Sequence, residues 1–526
     1  HQVLPAGWLQ TSPTHDLGRH VHLGQGASVK GQDFGDRPTA LQWGSYAGNA
    51  QHTGISPFQS QSLDQIKWQT AVDQQPQIVD NDIFIHYGEP LFTHDNVMIL
   101  PVKTQADGGF ELQGRRGSDG KLLWTVKSDY VQPPHAWGLP FSPALTGNDR
   151  VYFPGAGGTI HYIDHANLPG AKTVHSLSYY GLANYTAHKS ALDGTTFVDT
   201  PLTLGPDGGV YYGVQVTGTN PLNLHGGLAR VAGFGAPAFA SAASASGSLQ
   251  MDKVAQNCAP ALSNDGKIVY VTVNQTNFIG VGAGILASDY LLALDAETLK
   301  TVGKTQLIDP ASGSFAQIPD ISTATPTVGP DGDVYYGVLD PGNDNHDRGF
   351  LLHFNRTLAQ SKTPGAFGWD DTASVVPASI VPSYHGSSKY LLMTKYNDYA
   401  GLGGTGVNKL AVLDPNATET DPISGATTMK EVLTIAGVTP DKEFPELPGA
   451  VREWCINTAA VDPYTDSILA GSEDGKLYRW NLASNTFSQV IKLTDGVGEA
   501  YTPTAVGPDG TVYAINNGTI FAVSSR

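Results

Sequence analysis

The sequence predicts an all-β fold: a single β-propeller of four-stranded antiparallel blades, eight of them, with seven as the alternative count. Three observations predict it. The phrase Gly-Pro-Asp-Gly recurs at Gly205–Gly208, Gly329–Gly332 and Gly507–Gly510, each time just ahead of an apolar-Tyr strand start, and looser copies stand at Thr146–Phe153, Ser263–Tyr270 and Val461–Leu469. Each is a tight turn between short alternating strands, in which Asp or Asn closes the bend and Gly supplies positive φ. The composition agrees, with 61 glycines in 526 residues, 15% charged residues and no long amphipathic helix or heptad. A period of roughly 60 residues running nearly end to end implies one closed assembly rather than several average domains.

Residues 1–40 are expected to form an N-terminal arm and residues 41–526 the propeller. If Pro or its equivalent marks the innermost strand of each blade, the anchors are Pro90, Pro143, Pro201, Pro260, Pro326, Pro377, about Ala459 and Pro503. Within a blade follow the Asp-Gly turn, a Val-Tyr-Tyr strand, a third strand such as Tyr290–Asp295 and a fourth such as Lys121–Val126. From Tyr501 to Arg526 there is room for only three strands, and Leu63–Thr70 has the pattern of the missing fourth. Closure of the ring by both chain ends removes the exposed edges of an open array. Irregular spacing between residues 377 and 459 is what keeps the count of seven open.

Net charge −18 would repel a phosphate backbone, and no basic run offsets it, so nucleic acid is not expected as a partner. No stretch reaches the 18 or so apolar residues of a membrane span. An opening His1 reads as a processed, exported chain, secreted or periplasmic, and a monomer is expected. Sequons at Asn184, Asn274, Asn355, Asn416 and Asn517 fit secretion, but a chain rich in Asn and Thr carries several by chance. Cys258 and Cys455 precede the inner strands of the fourth and seventh blades, too far apart for the Cα separation of ~7 Å that a disulfide tolerates, so free thiols are expected.

The segment Trp43–Gly54, the Gly-Pro-Asp-Gly turns and Gly117–Trp124 resemble the pyrroloquinoline-quinone-type repeats of quinoprotein-like propellers, over residues 41 to 526. The resemblance implies the fold; many such propellers bind no quinone. A quinone site of that family implies calcium held by carboxylate and amide oxygens, for which Glu89, Asp199, Asn257, Glu453 and Glu499 are available. The adjacent Cys-Cys pair of the eight-bladed alcohol dehydrogenases is absent, as is a haem-attachment Cys-x-x-Cys-His, so quinone is not favoured.

Two of the four connections per blade are long, and in a propeller both emerge around one mouth of the central channel. Residues just before the inner strands should rim it: His86, Tyr87 and Glu89; His135 and Trp137; Asp199; Asn257; Thr323; Arg452, Glu453 and Asn457; Glu499 and Tyr501. Such a ring suits a polar small molecule or a glycan. His86, His135 and His188, with Tyr87 and Tyr185, could move protons, and Arg452 or Lys189 could neutralise a uronate. His20 and His22 alternate on an extended segment, and with His1 could hold copper. Residues Asp340–Asp347 could offer oxygens to calcium, although a solvated turn is the simpler reading. Polysaccharide-lyase chemistry is therefore expected first. A quinone- or metal-dependent oxidoreductase comes second, and a non-catalytic glycan- or protein-binding propeller, using Trp137, Trp369 and Tyr399, third.

Overall fold

The computed structural model describes residues 8–12, 35–38, 42–79, 82–233, 235–275, 289–342, 345–456, 458–498 and 504–526. Eight antiparallel sheets form the blades of a propeller. Blade 1 runs outward as Leu91–Phe92, Val97–Gln105, Gly108–Arg116 and Leu122–Lys127. The inner strands of blades 2 to 7 are Ala144–Leu145, Thr203–Leu204, Ala261–Leu262, Thr327–Val328, Ser374–Pro377 and Ala460–Asp462. Blade 8 combines Ala505–Val506, Val512–Asn516 and Thr519–Ser524 with Gln65–Ala71 as its outer strand, so the two ends of the chain close the ring as expected. In the arm, Trp8–Ser12 pairs with Gly35–Pro38.

Burial follows position in the blade. Second strands such as Val334–Val338 are buried throughout because neighbouring blades cover both faces, and their Val, Tyr and Leu residues interlock. Outer strands alternate: Gln65–Ala71 and Thr486–Lys492 bury every second residue only in part. Pro377 ends its inner strand instead of preceding it, so the true lead-in of blade 6 is Asp370–Ala373. In blades 3 and 4 an extra segment, Thr196–Val198 or Lys253–Val254, pairs with the far end of the second strand.

One channel end is sealed by the segment Trp43–Gly54. An innermost strand is an edge with unpaired N–H groups, and this segment satisfies them in turn around the ring. Phe92, Leu145, Leu262, Val328, Val375 and Val461 donate their backbone N–H to the carbonyls of Trp43, Gly44, Ala50, Gln51, Thr53 and Gly54 at 2.7–2.9 Å. The motif that carries the family resemblance is thus a plug binding blades 1, 2, 4, 5, 6 and 7 together.

Candidate funnel-mouth site

The opposite end of the channel is organised around residues 320–323, the lead-in to blade 5. His86, from the lead-in to blade 1, contacts the Ile321 carbonyl through Nε2 at 3.0 Å. Blades 1 and 5 stand opposite each other in a ring of eight, so this imidazole crosses the axis. Its ring stacks on Trp137 at 5.4 Å, and Phe84 meets the same indole edge-on at 5.1 Å. Burial is the main reason that His86 is lowered to about 4, with Lys395 pressing the same way and Asp370 opposing.

On one side of residues 320–323 lies blade 6. Thr323 donates its backbone N–H and its hydroxyl to Asp370 Oδ1, at 2.6 and 2.5 Å. Asp370 holds a φ of 48°, an unusual strain for a non-glycine residue and one that recurs where structure serves a site. Burial raises Asp371 to about 7 against the pull of Lys395. Lys395 is 1% exposed, with its ammonium 6.0 Å from the Phe367 ring.

On the other side lie blades 3 and 4. Lys253 is fully buried, its ammonium 2.5 Å from Asp320 Oδ1 and 2.8 Å from Asn274 Oδ1. Asn257, at φ 66°, donates its side-chain amide to the carbonyls of Asp320 and Ser322, and its backbone N–H to the Asp199 carbonyl. The Asp199 carboxylate is fully buried and neither oxygen has a hydrogen-bond donor. Burial holds Asp199 well above the usual carboxylate range, with Lys253 the principal opposing charge. A carboxyl raised this way can exchange a proton well above the pH at which carboxyls ordinarily ionise, and the Lys395 ammonium can hold an anion, whereas that of Lys253 is committed to Asp320 and Asn274.

His86, Trp137, Asp199, Asn257 and Thr323 therefore do meet at one mouth. Glu89, Tyr87, His135, Tyr185, His188, Lys189 and Arg452 stand elsewhere. Glu89 faces the plug, accepting from Trp43 Nε1 at 2.5 Å and Ala47 N at 2.6 Å. Tyr87 donates to Asp73 at 3.1 Å in the closure of blade 8 on blade 1. His135 lines an open groove of about 640 Å³ above blade 2, with Asp107, Asp193 and Phe197, and its Nδ1 is 2.6 Å from the Pro133 carbonyl. Tyr185, His188 and Lys189 occupy a helix, Leu182–Asp193, where Lys189 reaches Tyr185 Oη at 2.5 Å and Asp193 at 2.8 Å. Arg452 is committed to Glu473 at 2.8 Å and to Glu443. Burial and the nearby Glu473 raise the Glu453 carboxyl. Asn457, Glu499, Tyr501, His1, His20 and His22 lie outside the described residues. Asp340, Asn345 and Asp347 are buried rather than solvated. Both cysteines are buried thiols outside any disulfide, as expected, and Cys455 donates its Sγ–H to Glu473 at 3.5 Å. Asn274, 1% exposed, is no accessible glycan acceptor.

Neither a family model nor a characterised protein matches the sequence. Solved structures do match the fold. A europium-containing methanol dehydrogenase superposes with a TM-score of 0.54 at 10% identity, covering 90% of this chain and 89% of its own. A quinohemoprotein alcohol dehydrogenase from Comamonas testosteroni gives 0.54 at 11% identity, covering 93% and 82%. The fold is that of the quinoprotein-like propellers. This corrects the expectation of lyase chemistry on a glycan: both of these propellers are dehydrogenases, and His135, Tyr185, Lys189 and Arg452 do not converge on His86. Among the described residues no helix is long and apolar enough to cross a membrane.

Proposed function

We propose that this chain is a quinone-dependent oxidoreductase acting on a small hydroxylic substrate at the funnel mouth. The observation that carries the reading is the convergence, at the channel end away from the plug, of the buried Asp199 carboxyl with the buried Lys395 and the His86–Trp137 stack. These residues suit a planar, oxygen-rich anion: the partly exposed Trp137 indole offers a flat apolar face and Lys395 offers charge. A quinone held there supplies the acceptor for the two electrons leaving the substrate carbon. The chain's own residues do the rest. Once ionised, Asp199 would take the hydroxyl proton, Lys395 would orient anionic oxygens, and His86 with Trp137 would exclude water from the axis. An exported location belongs to the same reading and is checked by cell fractionation.

The test is to titrate the purified chain with pyrroloquinoline quinone, following tryptophan quenching, and then to assay dye-linked oxidation of a panel of primary alcohols. Stoichiometric quenching is expected, weakened about tenfold or more in Lys395→Ala, as a lost charge-assisted contact implies. No quenching together with no dye reduction on any alcohol would reject the proposal.

A further inference from the structure

The propellers with this architecture include one titled as europium-containing, so a resident cation is the natural expectation for the acidic mouth. The residues on the side of blades 3 and 4 do not fit one. Asp199, Asp289 and Asp320 are 0–4% exposed and belong to three successive parts of the ring, the lead-in to blade 3, the start of the third strand of blade 4, and the lead-in to blade 5. Asn257 and Asn274, each 1% exposed, add amide oxygens. Carboxylate and amide oxygens are what a hard cation takes as ligands. Yet the set already encloses a positive charge. The Lys253 ammonium binds Asp320 at 2.5 Å and Asn274 at 2.8 Å, and Asn274 Nδ2 closes the circuit on Asp320 at 3.1 Å. It is also the leading favourable charge acting on both Asp199 and Asp289.

We infer that Lys253 is a tethered counter-cation: its ammonium takes the place of a metal ion between Asp320 and Asn274, within reach of the charges of Asp199 and Asp289, and this side of the mouth holds no metal. An ammonium and a dication cannot share so small a set of oxygens, because like charges a few ångströms apart in a dry interior repel strongly. Burying Lys253 is tolerable only because its donors are satisfied by two oxygens of opposite or partial negative charge. Removing it leaves Asn274 Oδ1 without its donor, Asp320 without its ammonium partner, and Asp199 and Asp289 without their leading favourable charge, which is the condition under which a cation binds.

The test reads cation binding and stability, not turnover, so it is separable from the redox reading. Full-length chain purified without chelator is analysed for metals, and then titrated with Tb³⁺ and Ca²⁺ while following sensitised luminescence and Tm. The wild-type chain is expected to carry no stoichiometric metal and to show no saturable Tb³⁺ signal displaced by Ca²⁺. Lys253→Ala is expected to melt lower and to recover on adding Ca²⁺, with Tb³⁺ binding at least about tenfold tighter than wild type. If that variant is unfolded alone, folding on addition of Ca²⁺ is the same result. Two outcomes overturn the inference: a Tb³⁺ site in the wild-type chain that Asp199→Asn abolishes, or a Lys253→Ala variant that gains neither binding nor stability from either cation.

Discussion

Glu89 illustrates how one carboxyl can serve architecture from a position that reads as functional. It precedes an inner strand, as Asp199 and Asn257 do, but its side chain turns inward to the plug, where it accepts from the Trp43 indole and the Ala47 backbone. Replacing it by Gln preserves shape but sets the new amide group against one of two N–H donors. Glu89→Gln is expected to lose about 1–3 kcal/mol in urea unfolding, the cost of a buried donor left unpaired. An unchanged midpoint and slope would show that Glu89 is not the latch of the plug. At this scale the site was half legible. Asp199, Asn257, His86 and Trp137 stand where the repeat places lead-in residues. Lys253 and Lys395 were missed because composition and pattern assign lysine to the surface, and only the fold shows that acids surround them. Asp370 and Asp371 were missed because the Pro377 anchor shifted the expected lead-in of blade 6 by several residues.

Among the elements, the plug is the one whose sequence most directly dictates its shape. Gly54 sits at φ +64°, and a Cβ there would lie 2.7 Å from both the Ala459 carbonyl oxygen and Ser374 Oγ. Gly108 is a natural comparison, at φ +121° with nothing within 4 Å of the added carbon. Both alanine variants pay for positive φ, but only Gly54→Ala also pushes the plug away from blades 6 and 7. A loss of about 1–2 kcal/mol is expected for Gly108→Ala and about 3–4 kcal/mol for Gly54→Ala. Equal losses would mean the plug yields without cost. The turns and second strands were legible because Asp-Gly and Val-Tyr-Tyr repeat. The helix Leu182–Asp193 was not, since among its side chains only Tyr185 and Leu192 are buried, too few to print a helical stripe on the sequence.

For the molecule as a whole, ring closure by Gln65–Ala71 against Thr519–Ser524 makes every blade depend on its neighbours, so charges buried at the channel ends act on the stability of the entire propeller. Two sets of such charges oppose each other. Burial raises Glu89 to about 8, Asp371 to about 7 and Asp340 to about 6. Acids raised in the folded state contribute stability that is complete below their unfolded pKa, near 4, and is lost as pH climbs through those values. Burial also lowers His52 and His86 to about 4. Their contribution is present above about pH 6.5 and is lost as pH falls through 4, because the unfolded imidazoles bind protons that the folded ones refuse. Above pH 6.5 the histidines have nothing more to add while the acids continue to lose. Urea unfolding from pH 5 to 9 is therefore expected to show stability falling from about pH 5 to 8, less steeply below pH 6.5, where the histidines offset part of the acids' loss, than just above it. Net charge −18 adds repulsion in the same direction, so the series belongs in about 0.5 M salt, where surface charges are screened and buried ones are not. In Glu89→Gln the decline should be shallower, since one of the titrating buried acids is gone. Stability that stays level or rises from pH 6.5 to 8.5 in the wild-type chain would mean that water or a counter-charge reaches these carboxyls, and that the channel is not sealed as the plug implies.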